Sequence, residues 1–271
     1  MSAASDKVFA GSVPQIYEKF FVPLIFQPYA DDLARRVAAM KPKRVLEIAA
    51  GTGVVTRAMA KSLPADVAIV ATDLNAPMIE QARASGTARP VEWQTADAMS
   101  LPFGDASFDA VVCQFGAMFF PDRGAAFAQA LRVLEPGGAF FFNVWDRIED
   151  NEFADVVTQS LGALFPADPP LFMRRTPHGY HDVERIRADL ARGGFAHAPA
   201  IERVTHTSRA PSARNVAIAY CQGTPLRGEI ESRDPAALEK ATDAVAAAIA
   251  NRFGTGSVSG RIQAFVVSTR R

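Results

Sequence analysis

Glu47, Gly51 and Gly53 lie within one nine-residue stretch, Val45-Leu46-Glu47-Ile48-Ala49-Ala50-Gly51-Thr52-Gly53. Two glycines so close together let the backbone turn sharply and let a ligand approach where a Cβ would block it. The free N–H groups of a helix that follows point back at that ligand. Glu47 sits among apolar neighbours, where an unpaired carboxylate is costly, so a cationic ligand group or a nearby donor is expected beside it. Asp73 follows Gly53 at the distance, about 20 residues, at which an acid after a glycine loop commonly accepts hydrogen bonds from ribose hydroxyls. Its plainer reading is an N-cap for a helix near Pro77, a role open to Asn75 as well. His178 and His181, either side of Tyr180, are the candidate bases, against a plainer reading as solvated loop histidines. Two histidines alone do not make a metal centre, and no cluster has metal-ligand spacing, so no metal is expected. The pattern is that of a cofactor loop.

The elements that must position these residues are legible around them. Val45, Leu46 and Ile48 form a short apolar strand after the breaker Pro42, and Val54 to Lys61 reads as the helix that follows. Further strands are expected at 66–71, 91–95, 107–114 and 139–145. Strands alternating with helices from Arg44 to Trp145 imply a mainly parallel sheet with helices on both faces. Before this core, the spacing predicts a helix over 13–21, breaks at Pro23 and Pro28, and a helix over 31–40. After it, helices are expected at 151–165, 181–193, 212–222 and 235–253, with strands at 200–207 and 262–268. The loop 166–180 is rich in proline and charge. No linker or repeat divides the chain, so a single domain over 1–271 is expected, with a cofactor core at about 40–146.

The spacing also selects the cofactor. A dinucleotide fingerprint would place glycine or alanine three residues after Gly53, where this chain has Thr56. The order Glu47-x-x-x-Gly51-x-Gly53 instead resembles the first motif of class I S-adenosylmethionine-dependent methyltransferases. Thr72-Asp73-Leu74-Asn75, Ala96-Asp97-Ala98, Ser107 to Gln114 and Leu134-Glu135-Pro136-Gly137-Gly138 resemble that family's later motifs, in order. The likeness covers about residues 40 to 146 and is nearest the type 11 group. It implies a Rossmann-like, mainly parallel seven-stranded sheet, here with a helical insertion between the last two strands. It implies S-adenosyl-L-methionine as cofactor, held by Glu47, Ala49, Gly51, Thr52, Gly53, Asp73, Leu74, Met78, Asp97, Ala98, Gln114 and Phe115. Tyr17 falls where relatives often place an aromatic over the methionine end. Phe119, Phe120 and Tyr180 are the residues expected at the acceptor. One departure is Ala49, where the family usually has glycine; a tighter fit rather than a lost site is expected.

Lys plus Arg and Asp plus Glu number 29 each, so no general attraction to nucleic acid or an acidic membrane is expected. The first residues lack a signal-peptide pattern and no apolar run is long enough to span a bilayer. Cys113 and Cys221 are far apart and suit structural thiols in a reducing cytoplasm. These features lead to a cytoplasmic enzyme that methylates a small, largely apolar acceptor, its oligomeric state open. The N-terminal segments, the loop 166–180 and the insertion are expected either to roof the acceptor pocket or to pack on the sheet's outer face. The competing readings are a nucleotide-dependent oxidoreductase and a catalytically idle S-adenosylmethionine-binding protein.

Overall fold

The computed structural model describes residues 11–271, and the expectation about the first residues lies outside that range. The chain divides into two compact units, one of Gln27–Val144, Tyr180–Val204 and Ala264–Arg271, the other of the chain up to Phe26, Trp145–Gly179 and Thr205–Gln263.

The first unit holds most of the sheet. The sheet's strands are β1 (Arg44–Glu47), β2 (Ala68–Asp73), β3 (Glu92–Thr95), β4 (Phe108–Gln114), β5 (Leu134–Trp145), β6 (Ala200–Ala210) and β7 (Val258–Arg270), in the order β3-β2-β1-β4-β5-β7-β6, with residues 205–210 and 258–263 counted in the second unit. β1 to β5 pair in parallel. β7 runs antiparallel to β5: Gly137 N–H donates to the Arg271 oxygen at one end and Asp146 N–H to the Gln263 oxygen at the other. It also opposes β6, with Thr205 bonded to Gln263 and Thr269 to the His197 carbonyl. Central strands of such a sheet are covered on both faces and read as apolar runs; Val45, Leu46, Val111, Val112, Phe140 and Phe142 are all buried. Rings of Phe127, Phe140 and Phe142 pack at 4.9–5.6 Å, each worth roughly 1.5–3 kcal/mol of burial.

Two features of the first unit depart from the expected bounds. The Pro136-Gly137-Gly138 turn lies inside β5, as an irregularity in its pairing with β4 between Phe108 and Ala110. The helix Gln27–Ala39, expected among the roof elements, belongs with the sheet. Tyr29 donates to the Val204 carbonyl at 3.0 Å, and Arg36 binds Glu202 through both guanidinium arms at 2.9 Å.

The second unit is mainly helical: Val13–Ile16, Tyr17–Phe26, Glu152–Leu164, Phe172–Arg175, Ala213–Gln222, Leu226–Arg233 and Ala237–Phe253. Pro23 does not break its helix, because Tyr17–Phe26 is wound as a π-helix. A proline ring collides with the carbonyl four residues back in an α-helix, and pairing five residues apart removes that conflict. Pro28 follows directly, in the first turn of Gln27–Ala39, and the chain stays helical through it. Leu226–Arg233 was not expected. Its signal is Glu229, a buried carboxylate that accepts the Leu171 and Phe172 N–H groups and pairs with Arg175 at 2.7 Å. This unit's core is a row of rings: Tyr17, Phe21, Phe26 and Tyr220, with Phe26 6.0 Å from Trp145. No helix among the described residues is long and apolar enough to cross a membrane.

Candidate functional site

β1 ends in the glycine loop, and the helix Val54–Ser62 begins directly after it. Glu47 is 1% exposed, and its carboxylate accepts a short hydrogen bond from the Thr56 hydroxyl. The donor expected beside the acid is therefore Thr56, the residue that replaces the dinucleotide fingerprint's glycine. Burial pushes the Glu47 carboxyl up to about 8, against the lowering effects of Thr56 and Arg57. Gly53 starts the helix with φ +83°, and a Cβ there would stand 2.7 Å from Trp93 Cη2. Gly51 donates its N–H to Asp73 Oδ2 at 2.8 Å, and Asn75 N–H donates to Oδ1 at 2.8 Å.

Asp73 thus ties the loop to the end of β2. It is buried rather than at an exposed strand end; burial pushes its carboxyl upward and the backbone donors of Asn75 and Gly51 oppose that. Asn75 is the N-cap residue by position, but its side chain makes no capping bond. Beyond Asp73, Leu74 is left 51% exposed, an apolar surface beside the loop. Met78 Cε approaches the Cβ position of Gly51 to 3.7 Å. Asp97 accepts from Met99 N–H at 2.9 Å, and Ala98 is buried.

At the end of β4, Gln114 is buried and Phe115 takes φ +50°. A bulky residue at positive φ is strained, and Asn143 holds it there: Phe115 N–H donates to both its carbonyl and Oδ1, at 3.1 and 2.9 Å. Asn143 also donates to Gln114 Oε1 at 3.4 Å. The sequence reading missed Asn143, although one amide inside the aromatic run Phe140 to Trp145 was its signal. Tyr29 meets the Phe115 ring edge-on at 5.3 Å.

Ala49 explains a glycine farther along. It adopts φ +55°, where glycine is preferred, and its methyl would lie 2.5 Å from a Cβ at Gly116. The space that glycine usually leaves at the loop is therefore supplied from the turn after β4. Gly116→Ala should cost about 1–3 kcal/mol by overpacking, and Ala49→Gly should restore a large part of it. Cys113 Sγ, 2.8 Å from the same Cβ position, limits full recovery. Urea midpoints of the four chains measure this; additive effects would mean the two residues are not coupled.

The remaining expected residues are more scattered. Phe119 and Phe120 are half-buried after β4. Tyr180 is 0% exposed, its hydroxyl donating to Asp189 at 2.9 Å and its face covered by Arg123 at 4.1 Å, so it holds the start of the Val183–Arg192 helix. His181 is exposed. Tyr17 and His178 belong to the helical unit.

Residues of the sheet unit fit a nucleoside cofactor carrying a positive charge. Thr52 is 1% exposed and its hydroxyl has no partner, a cost that a ligand's polar group would relieve. Two buried acidic side chains, Glu47 and Asp73, flank the loop. Asp73→Ala should weaken cofactor binding by about 1.5–3 kcal/mol and also free the Gly51 N–H. Calorimetric titration alongside a thermal melt separates the two; unchanged affinity would leave Asp73 a loop tie only.

A family model described as a methyltransferase domain matches residues 46–142. The chain is 32% identical over 204 residues to the ubiquinone/menaquinone biosynthesis C-methyltransferase of Saccharophagus degradans, covering 70% of this chain and 77% of that protein. It is 39% identical over 134 residues to the demethylmenaquinone methyltransferase of Deinococcus radiodurans, covering 49% and 52%. The chain spans about half the length, or less, of the first curated relatives it matches. In fold it is similar to the crystal structure of a putative methyltransferase from Bacillus halodurans, with a TM-score of 0.55 at 19% identity over 89% of this chain and 97% of that one. A sheet with one antiparallel strand set between β5 and β6, and a glycine loop after its first strand, defines the class. The chain belongs to the class I S-adenosylmethionine-dependent methyltransferases, type 11 group, and S-adenosyl-L-methionine is the cofactor that goes with that membership.

Proposed function

We propose that this protein transfers the methyl group of S-adenosylmethionine to a small, largely apolar hydroxylated aromatic molecule. The observation that carries the cofactor half is the loop itself. Thr52's unpartnered hydroxyl, the Asp73–Gly51 tie and the apolar platform of Leu74 lie along one run from β1 to β2. In this reading Glu47 and Asp73 face the cofactor's cationic and ribose ends, Asp97 and Ala98 its base, and Gln114 and Phe115 the methyl-bearing side. Phe119 and Phe120 meet the acceptor.

The acceptor half is supported by the half-buried rings of Phe119 and Phe120 after β4 and by the named activities of the two quinone-methylating relatives. When bound, the cofactor supplies an already activated sulfonium methyl. The protein's own task is then to align the acceptor and exclude water, a contribution of roughly 7–11 kcal/mol in well-positioned systems.

Calorimetry tests the cofactor half: S-adenosylmethionine and its demethylated product should bind and NAD should not. Tighter NAD binding would favour an oxidoreductase. Methylation of a panel of phenols and naphthols, followed by mass, tests the other half; a chain that binds cofactor but alkylates none of them acts as a cofactor-binding protein.

A further inference from the structure

The sheet unit carries, away from the glycine loop, a cavity of about 340 Å³ with a cationic lining. Three elements meet around it: the helix Arg123–Val133, the Gly193-Gly194 turn that ends the helix Val183–Arg192, and the last residues of β7. Leu134 pairs with Phe108 where β5 and β4 begin, so this is the edge at which the parallel strands start. The glycine loop follows the opposite end of β1. The cavity is therefore separate from the cofactor loop of the same unit.

Close backbone packing fixes its walls. A Cβ at Gly193 would stand 2.6 Å from Phe127 Cβ, and one at Gly194 3.0 Å from Leu131 Cδ2, so only glycine lets the turn come this near the helix. The Phe195 ring stacks on Phe140 at 5.9 Å. On the other side, Arg271 N–H donates to the Gly138 carbonyl at 3.0 Å and the Arg271 main-chain oxygen accepts from Gly137 N–H at 3.3 Å. Thr269 donates to the His197 carbonyl at 3.5 Å. A cavity with such walls is largely formed before a ligand arrives.

Half-buried Ala128 and Leu131 give the cavity an apolar side, and exposed Arg270, Arg271 and His197 a polar one. Among the described residues no acidic side chain lines it. Arg132, also in the lining, is already engaged by Asp105 at 2.8 Å, by Gln129 and by the Leu101 and Phe103 carbonyls. Arg270 and Arg271 have no such acid. Arg270 donates to the Gly137 carbonyl at 3.0 Å, and Arg271 to the Arg132 and Leu134 carbonyls, each through Nη1 alone. Carbonyls thus hold two cations in place without neutralising them, and each guanidinium keeps N–H donors in hand. Arginine recognises phosphate and carboxylate groups alike through paired N–H donors. A phosphate monoester carries a charge of about −1.5 to −2 at neutral pH, and two unneutralised cations match that better than a carboxylate's single charge.

We infer that this cavity binds a phosphate monoester carried on an apolar body, with the phosphate at Arg270 and Arg271 and the body against Ala128 and Leu131. The inference does not depend on the methyl-transfer reading, and either can fail without the other.

The test titrates the 15N-labelled full chain with phenyl phosphate at low salt and follows the backbone amide resonances. Gly193, Gly194, His197 and Arg270 should shift, and Gly51 and Thr52 should not. Inorganic phosphate lacks the apolar body and benzoate the second charge, so each should bind at least roughly tenfold more weakly. Arg270→Gln keeps a donor for the Gly137 carbonyl and should lose roughly 10- to 100-fold in phenyl phosphate affinity; adding Arg271→Gln should abolish the shifts. Sedimentation with phosphatidylcholine vesicles, with and without phosphatidic acid, separates the sources of the group. No added pelleting assigns a soluble ester, whereas pelleting that needs both phosphatidic acid and Arg270 assigns a lipid headgroup. Shifts confined to the glycine loop overturn the proposal, as do equal binding of benzoate or inorganic phosphate and undiminished binding by Arg270→Gln. If the double variant does not fold, the single variant and the location of the shifts decide.

Discussion

Replacing Glu47 with glutamine should lessen the fall in the protein's stability between about pH 5 and 8, where the wild type should lose stability steadily. The Glu47 carboxyl is raised from 4.5 to about 8 by burial in the folded chain. Below its unfolded value it is protonated in both states, and the stabilisation from holding that proton is fully present. As pH rises towards 8, the folded protein keeps a proton that the unfolded chain has released, so stability falls; above 8 the fall ends. Each pH unit between the unfolded and folded values corresponds to about 1.4 kcal/mol, so the whole change is on the order of 5 kcal/mol. Glutamine keeps an oxygen for Thr56 to donate to and cannot ionise. Thermal melts of both proteins across that range measure the difference, and equal slopes would show that Glu47 titrates normally.

The other large effect is expected at Gly53. Gly53→Ala places a Cβ 2.7 Å from Trp93 Cη2 and 3.2 Å from the Ala82 methyl, at φ +83°. Overpacking costs about 1–3 kcal/mol and a non-glycine residue in that conformation about 1–3 kcal/mol more. Because the helix Val54–Ser62 starts here, cofactor affinity should fall with stability. Adding Trp93→Ala removes the collision but not the backbone strain, so it should return about half of the loss. Full recovery in denaturant midpoint would mean that the conformation at residue 53 carries no cost.

Local spacing was enough to read β1, the glycine loop, Asp73 and the alternating core, because each depends on residues within a few positions of one another. What spacing could not show were pairings across the fold. Thr56 could be read as a missing glycine but not as the donor to Glu47, which needs the first turn of the helix to fold back over β1. Gly116 has no special backbone angle, and only the Ala49 methyl and Cys113 explain it. Trp93, 40 residues after Gly53, shapes the same loop. Pro23 and Pro28 were read as breaks because single-residue rules assume an α-helix, whereas the chain winds through both. Gln263 lies more than a hundred positions from Asp146 and Asn151 and meets them only through the antiparallel packing of β7 on β5.

The contact between Ala49 and Gly116 also implies an order of events in the history of this chain. With glycine at 49, an alanine at 116 would meet only Cys113 Sγ, at 2.8 Å, whereas alanine at both positions also brings two methyl carbons to within 2.5 Å. The passable route to the present loop therefore has glycine established at 116 before alanine arrived at 49. Once alanine was fixed, the later position lost its freedom. Relatives with alanine at the first site should keep glycine at the second, and those with glycine at the first should be the ones in which the second varies, where the residue matching Cys113 leaves room.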